Sequence, residues 1–375
     1  MENNELLTRT ECNALRGLAI IGIFLHNYCH WLGPIVKENE YQFFAANVEG
    51  LNRALVHADW NLPLHLLSFF GHYGVPLFLF LSAYGLERKY AARSVAMTGQ
   101  GPVGSGGRLP KVGVWPFIRY HFLKLFKMMV VGYEAFTLVD YVTPGPHHYQ
   151  VIDIVAQLGM FNNLLPHPDA VIWPGPYWFF GLMLQLYVVY RLVLHRRHWG
   201  VTVALMVVCT LAQLFFAPEG EALNRYRYNF MGGMLPFGMG LLYARFGTRW
   251  HGLVVKDTKV FYGTAAVIVA ALVYVLSLGF FMWLLVPAAV CLFGVCFVKA
   301  LGATSQLAGL FAMFDWMGSI SAALFVCHPI ARKIFIPVSR HGDMYAGLLL
   351  YIVSAVCLAW LFRELMKKIP NPQQS

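Results

Sequence analysis

Charge is what this chain has least of. Only 12% of its 375 residues are Asp, Glu, Lys or Arg, against about 25% in soluble globular domains. With 58% hydrophobic residues, an ordinary water-soluble fold is excluded. Acidic residues are scarcest, 18 against 28 basic ones, for a formal net charge of +10. No basic stripe interleaved with aromatics accompanies that charge, so no nucleic-acid partner is expected. The excess suits basic loops beside an anionic lipid leaflet instead. The seven cysteines include no CxxC pair, and most lie inside apolar runs. They read as small packing residues, with no disulfide framework and no metal site expected. A Gly-rich stretch at 98–113 is followed by no GKS or GKT, so it is read as a flexible cytoplasmic linker rather than a phosphate-binding loop. No strong internal repeat supports an inverted-repeat transporter. The first fourteen residues are polar and partly acidic, and the apolar stretch after them is too long for a signal-peptide core. It is expected to remain as a helix.

Apolar runs fill the chain instead. They lie near 14–34, 62–86, 117–142, 176–196, 199–217, 230–246, 260–280, 281–300, 308–335 and 346–367. Each approaches the ~20 residues that cross the hydrocarbon core as a helix, and helices are the only open-ended way to cross lipid. The expected fold is an all-α polytopic membrane protein of ten spans forming one domain over 1–375. Arg88, Lys89, Arg93, Arg108, Lys111, Arg191, Arg196, Arg197, Arg245, Arg249, Lys256, Lys259, Lys367 and Lys368 then share one side. Basic loops stay in the cytoplasm, so both termini are expected there, in an inner membrane. Arg332 and Lys333, with Arg340, break that bias near the outer end of span nine. Residues 35–61 are polar and aromatic and are expected outside. Residues 151–165 are too short to span and fit a short outer-face helix or re-entrant segment.

Arg16 and His26 share the first apolar run. Ionisable groups in hydrocarbon cost a few kcal/mol at a helix centre, roughly 3 on insertion scales, so such residues face a partner, a cavity or a substrate. At ~1.5 Å rise per residue, His26 lies ~15 Å beyond Arg16. If Arg16 marks one interface, His26 is near mid-membrane. Arg16 either snorkels to headgroups or binds an anionic cofactor group through its planar fork. His26 is either a hydrogen-bonded core residue or a general base, a task that neutral imidazole suits in a dry site. His30, four residues on, shares the face of His26 and is a candidate substrate contact. Glu134 is the one carboxylate deep inside a run and a candidate partner for His26.

Other candidates lie further along. Ser82 closes the second run in Leu81-Ser82-Ala83-Tyr84, where small residues also serve helix packing. The third run opens with Arg119, Lys124 and Lys127: either positive-inside anchors or a cradle for donor phosphates. The fourth opens with Tyr177-Trp178-Phe179: an interfacial belt or a platform for a sugar.

Together these pieces resemble the acyltransferase 3 family of membrane acyltransferases. The resemblance is carried by the Arg16…His26 pair, the Val75-Pro76-Leu77-Phe78 to Ser82-Ala83-Tyr84 segment, the basic start of the third run, Tyr177-Trp178-Phe179, and Leu324-Phe325-Val326-Cys327-His328-Pro329. It implies ten core helices that move an acyl group from cytoplasmic acyl-CoA, acetyl-CoA foremost, to a hydroxyl or amine, often on an outward-facing glycan. It further implies an acyl-CoA-dependent O-acyltransferase with His26 and Arg16 catalytic. Arg16, Arg119, Lys124 and Ser82 would then hold the donor, and His30, Tyr177 and Trp178 a carbohydrate acceptor. The chain departs from the family pattern twice. Nine residues separate Arg16 from His26 where the family has ten, and Ala83 replaces a glycine. Ten steps of ~100° leave the two residues ~80° apart around an ideal helix, unless a π-bulge realigns them. The rival reading is a transporter or flippase for a small or lipid-linked molecule. It would rest on intramembrane carboxylates, for which Glu134 is the deep candidate while Asp140, Asp153 and Asp315 sit near run ends. A scaffold without chemistry explains the hydrophobicity but not the depth of His26.

Overall fold

The structure is a computed structural model that describes residues 6–97, 113–251 and 258–373. The expected linker at 98–113, with Arg108 and Lys111, lies outside the described residues except for Gly113, as do Lys256 and the side chains of Arg93 and Arg249. Every regular element among the described residues is helical.

Ten helices coincide with the ten apolar runs: α1 (Arg9–Cys29), α2 (Gly74–Met97), α3 (Val114–Val142), α4 (Trp178–Val189), α5 (Trp199–Leu211), α6 (Phe230–His251), α7 (Thr258–Leu276), α8 (Val286–Gly302), α9 (Ala308–His341) and α10 (Met344–Lys368). Among the described residues five segments are long and apolar enough to cross a membrane: Leu62–Tyr90, Gly175–Leu194, Thr258–Leu276, Ser305–His341 and Met344–Lys368. Trp199–Phe215 and Val286–Gly302 are apolar but shorter. The chain is therefore a multi-pass helical membrane protein. Short helices at Ala45–Val56 and Val151–Leu158 occupy two stretches read as non-spanning.

Local sequence sets the helix starts. Thr8 caps α1: its hydroxyl accepts from the Glu11 amide at 3.2 Å, while the Glu11 carboxylate accepts from the Thr8 amide at 2.7 Å. This reciprocal capping satisfies two donors that the first turn leaves open. Glu11 also pairs with Lys299 of α8 at 3.0 Å. Asp343 caps α10 by accepting from the Tyr345 and Ala346 amides. α1 ends at Cys29, so His26 lies in its last turn.

α1 is the central helix. It packs most extensively on α9, and also on α2, α8, the short helix Leu62–Phe70 and the turn Gly71–Tyr73. Glycines permit these approaches. A Cβ on Gly17 would overlap the Phe314 carbonyl of α9, and one on Gly318 would overlap the Asn13 carbonyl of α1. Small residues at a membrane helix crossing let backbones touch and gain dispersion contacts. One turn further along, a Cβ on Gly71 would meet the Gly22 carbonyl oxygen at 2.5 Å and the His26 Cβ at 2.7 Å. The Gly71–Tyr73 turn thus lies directly on the last turns of α1.

The crossing yields a test. Gly318→Ala should force α1 and α9 apart, with an overpacking penalty of about 1–3 kcal/mol. The expected readout is a lower thermal midpoint in detergent; an unchanged midpoint means the two backbones do not meet there.

Candidate active site

One cavity of roughly 270 Å³ opens beside the end of α1. Its wall includes His26 and Asn27 from α1, His30 from its C-cap, Glu38 and Glu40 from the loop that follows, His72 from the Gly71–Tyr73 turn, Trp178 from α4 and Arg332 from α9.

His26 is only 3% exposed. Its Nδ1 lies 2.7 Å from the Ser68 carbonyl oxygen. A carbonyl can only accept, so Nδ1 carries the proton and Nε2 keeps its lone pair. Nε2 faces Glu38, whose Oε1 is 3.8 Å away. His30, one turn beyond, places Nδ1 3.1 Å from the same oxygen, and the two imidazole rings are 4.7 Å apart. His72, buried to 4% exposure, lies 5.5 Å from the His26 ring on another side.

The loop that brings Glu38 is held from elsewhere in the chain. Its Val36 amide donates to His65 Nδ1 at 3.1 Å, and its Val36 carbonyl accepts from the Ser68 hydroxyl at 2.6 Å. The Asn39 side chain accepts from the Phe44 amide, and the Asn39 carbonyl accepts from the Trp283 indole at 2.9 Å. Arg227 Nε donates to the Glu40 carbonyl at 2.9 Å. Burial would raise the Glu38 pKa, but the adjacent His26 and His30 outweigh it and hold the carboxyl well below the usual carboxylate range. Glu40 behaves oppositely: removal from water, then the Glu38 charge, push it up to about 8. The cavity therefore presents one ionised carboxylate and one that holds its proton at neutral pH.

The opposite wall is aromatic and polar. Tyr41 stacks on Tyr228 at 3.9 Å and meets Trp178 edge-on at 5.3 Å. The Tyr228 hydroxyl donates to Asp169 at 2.5 Å. Arg332 donates to the Asn27 carbonyl and side-chain oxygens at 3.3 and 3.4 Å and lies over the Trp31 ring. The break in the charge bias thus has a structural reason. Arg332 is a buried cavity residue, and Lys333 pairs with the buried Asp140 at 2.8 Å.

The candidates taken from sequence divide into two groups. His26, His30 and Trp178 meet at the cavity. Tyr177 lies inside the core off the cavity wall, its hydroxyl donating to the Val326 carbonyl at 2.8 Å. Arg16, Arg119, Lys124 and Ser82 are also outside the cavity wall. Arg16 is held by Asn13 at 2.9 Å and lies close enough to Lys124 for their charges to repel. Arg119 is exposed on α3, five residues and so ~140° around the helix from Lys124. Ser82 pairs with the Tyr187 hydroxyl at 3.1 Å, beside the buried His121 ring. α1 runs from Arg9 to Cys29 as α-helix without a π turn, so no bulge realigns Arg16 with His26. Glu134 is exposed on α3 and does not line the cavity. Glu38 occupies the position considered for it, and sequence reading missed Glu38, His72 and Asp169. For Glu38 the polar crowding of residues 35–61 was the available signal; His72 and Asp169 had none.

A polytopic helical bundle enclosing a histidine–carboxylate cavity defines a class of membrane protein with an internal reaction or binding site. The comparison with protein families is more specific: the acyltransferase domain family, Acyl_transf_3, matches residues 9–364. The chain belongs to that family, and the match spans nearly its whole length. No curated protein and no solved structure matches it.

The tautomer of His26 is testable. In histidine-labelled protein, with the signal assigned by loss in His26→Gln, imidazole nitrogen shifts should report a proton on Nδ1. A proton on Nε2 alone would contradict the Ser68 contact.

Proposed function

We propose that this acyltransferase moves an acyl group, acetyl foremost, from cytoplasmic acyl-CoA to a hydroxyl of a glycan acceptor in the His26 cavity. In this reading ten helices span the inner membrane and both termini are cytoplasmic. The observation that carries it is His26 itself: one nitrogen is fixed by a carbonyl, and the other presents a lone pair to a cavity. That is the arrangement a general base needs.

The donor would bind from the end of the bundle that carries Arg16, Lys124 and Arg119. Arg16 and Lys124 repel one another, and an anionic phosphate between them would relieve that repulsion. Ser82, beside Tyr187, would lie along the pantetheine arm. The thioester then lies near His26, ~15 Å further along α1.

The chemistry balances as follows. His26 Nε2 takes the acceptor hydroxyl proton while the oxygen attacks the thioester carbonyl carbon. The tetrahedral intermediate collapses, the carbon–sulfur bond breaks, and the imidazolium returns the proton to the CoA thiolate. Glu38, 3.8 Å from Nε2, stabilises the transient imidazolium as an opposite charge. Arg332 is the cavity cation suited to the developing oxyanion. Trp178, Tyr41 and Trp31 offer ring faces to a sugar, with His30 and Asp169 for its hydroxyls. Glu134, on which a proton-coupled carrier would rest, is exposed and does not line the cavity.

CoA release from acetyl-CoA, measured with purified protein in detergent and a polyol acceptor, tests this directly. His26→Ala should lower the rate by about 10²- to 10⁴-fold, the usual span for a general base; a rate equal to wild type removes the assignment. Arg16→Ala and Lys124→Ala should instead raise the KM for acyl-CoA, with kcat less affected. A loss confined to kcat would put both residues outside the donor site.

A further inference from the structure

We propose that His26, His30 and Glu38 form a binding site for one transition-metal dication of the zinc class. Four observations carry it. First, His30 is the C-cap of α1, four residues beyond His26 and still in the right-handed helical conformation, the spacing by which a helical turn presents two imidazoles to one ion. Second, the donor atoms of His26, His30 and Glu38 all lie within 4.8 Å of one another. Glu38 Oε1 is 3.1 Å from His30 Nδ1 and 3.8 Å from His26 Nε2. Metal–ligand bonds of about 2.0–2.2 Å in tetrahedral geometry put ligand atoms roughly 3.4 Å apart, so small rotations suffice.

Third, the outer contact is already made. Metal-bound histidines donate their second ring N–H to a carbonyl or carboxylate, which fixes the tautomer. His26 does this with Ser68. The result is a lone pair on Nε2 facing Glu38 Oε1 at 3.8 Å, a pair of donor atoms that one cation would bridge. Fourth, polar atoms around the cluster are unpaired among the described residues. Glu38 Oε2 and His30 Nε2 are buried without hydrogen-bond partners. His72 shares the cavity wall with the three ligands.

Two imidazoles and a carboxylate select zinc, copper, iron or nickel over magnesium or calcium, which prefer all-oxygen sites. No cysteine lines the cavity. Three protein ligands leave a coordination position open toward the cavity. The site goes beyond the transferase reading and does not depend on it. A metal on Nε2 takes the lone pair that proton abstraction requires, so the metal-bound and base forms of His26 exclude one another.

The experiment uses full-length, tag-free protein in detergent, stripped with chelator. It is titrated with ZnCl₂ against a chromophoric competitor, and in parallel with CoCl₂ as a spectroscopic probe. One zinc per chain is expected, with affinity reduced by about 10- to 100-fold or more in Glu38→Gln and His30→Ala. Gel filtration and the metal-free thermal midpoint establish that the variants fold. Wild-type cobalt should show the visible bands of a nitrogen- and oxygen-ligated tetrahedral ion, a readout independent of any variant. Failure of the wild type to retain zinc overturns the proposal. So does equal retention by folded Glu38→Gln, or a thiolate-to-cobalt band that places the ion on a cysteine. Because binding is read directly, CoA release can fail while zinc binds, or the reverse.

Discussion

A polar side chain inside a membrane protein cannot borrow hydrogen bonds from water, so the chain must supply them. His26 makes that demand, and the surrounding structure is arranged to meet it. The absence of a side chain at Gly71 lets the Gly71–Tyr73 turn rest on Gly22 and His26. Only at that separation can the Ser68 carbonyl reach Nδ1. The same approach brings His72 to the cavity. A methyl group at position 71 would move the carbonyl, the tautomer and the third histidine together.

The second demand comes from the loop between His30 and Phe44. Irregular backbone has no ladder of its own, and each buried amide or carbonyl needs a partner. Those partners come from His65, Ser68, Arg227 and Trp283. Each such bond adds only about 0.5–1.5 kcal/mol net, but four on one short loop fix its path. Glu38 is therefore positioned by residues up to 245 places away in sequence, counting from Glu38 to Trp283 (283 minus 38). The loop is the part of the site most exposed to substitutions that touch neither histidine.

This explains what was legible in the sequence and what was not. Apolarity is a local property, so the ten runs and their helices could be read directly, and so could the shared face of His26 and His30. Helix ends were less legible: the first run continues to 34, but α1 stops at Cys29 because the chain turns back to deliver Glu38. Depth along a helix says nothing about which face a residue takes. That is why Glu134, at a suitable depth, is exposed while a loop residue meets the histidine. Tyr177 and Trp178 are neighbours ~100° apart on a helical path; one bonds to Val326 inside the core and the other lines the cavity. Arg332 and Lys333 carried a signal of a different kind. They break the charge bias of the sequence, and the fold supplies each with a partner, Asn27 for Arg332 and Asp140 for Lys333.

The Arg16–His26 spacing bears on how such a site could be used. With no π turn in α1, the two residues point to different neighbours, ~15 Å apart along the axis. Arg16 looks toward Lys124 of α3, and His26 toward the loop and α9. One helix therefore holds two separate polar environments, with the apolar segment Leu18 to Leu25 between them, relieved only by Gly22. A compact ligand cannot touch both. A ligand with an anionic head, a long uncharged arm and a reactive tip can, because only the arm need lie beside the apolar segment. The spacing, which reads as a defect if both residues must face one cavity, becomes a requirement if the donor is long and its charge must remain at the membrane edge.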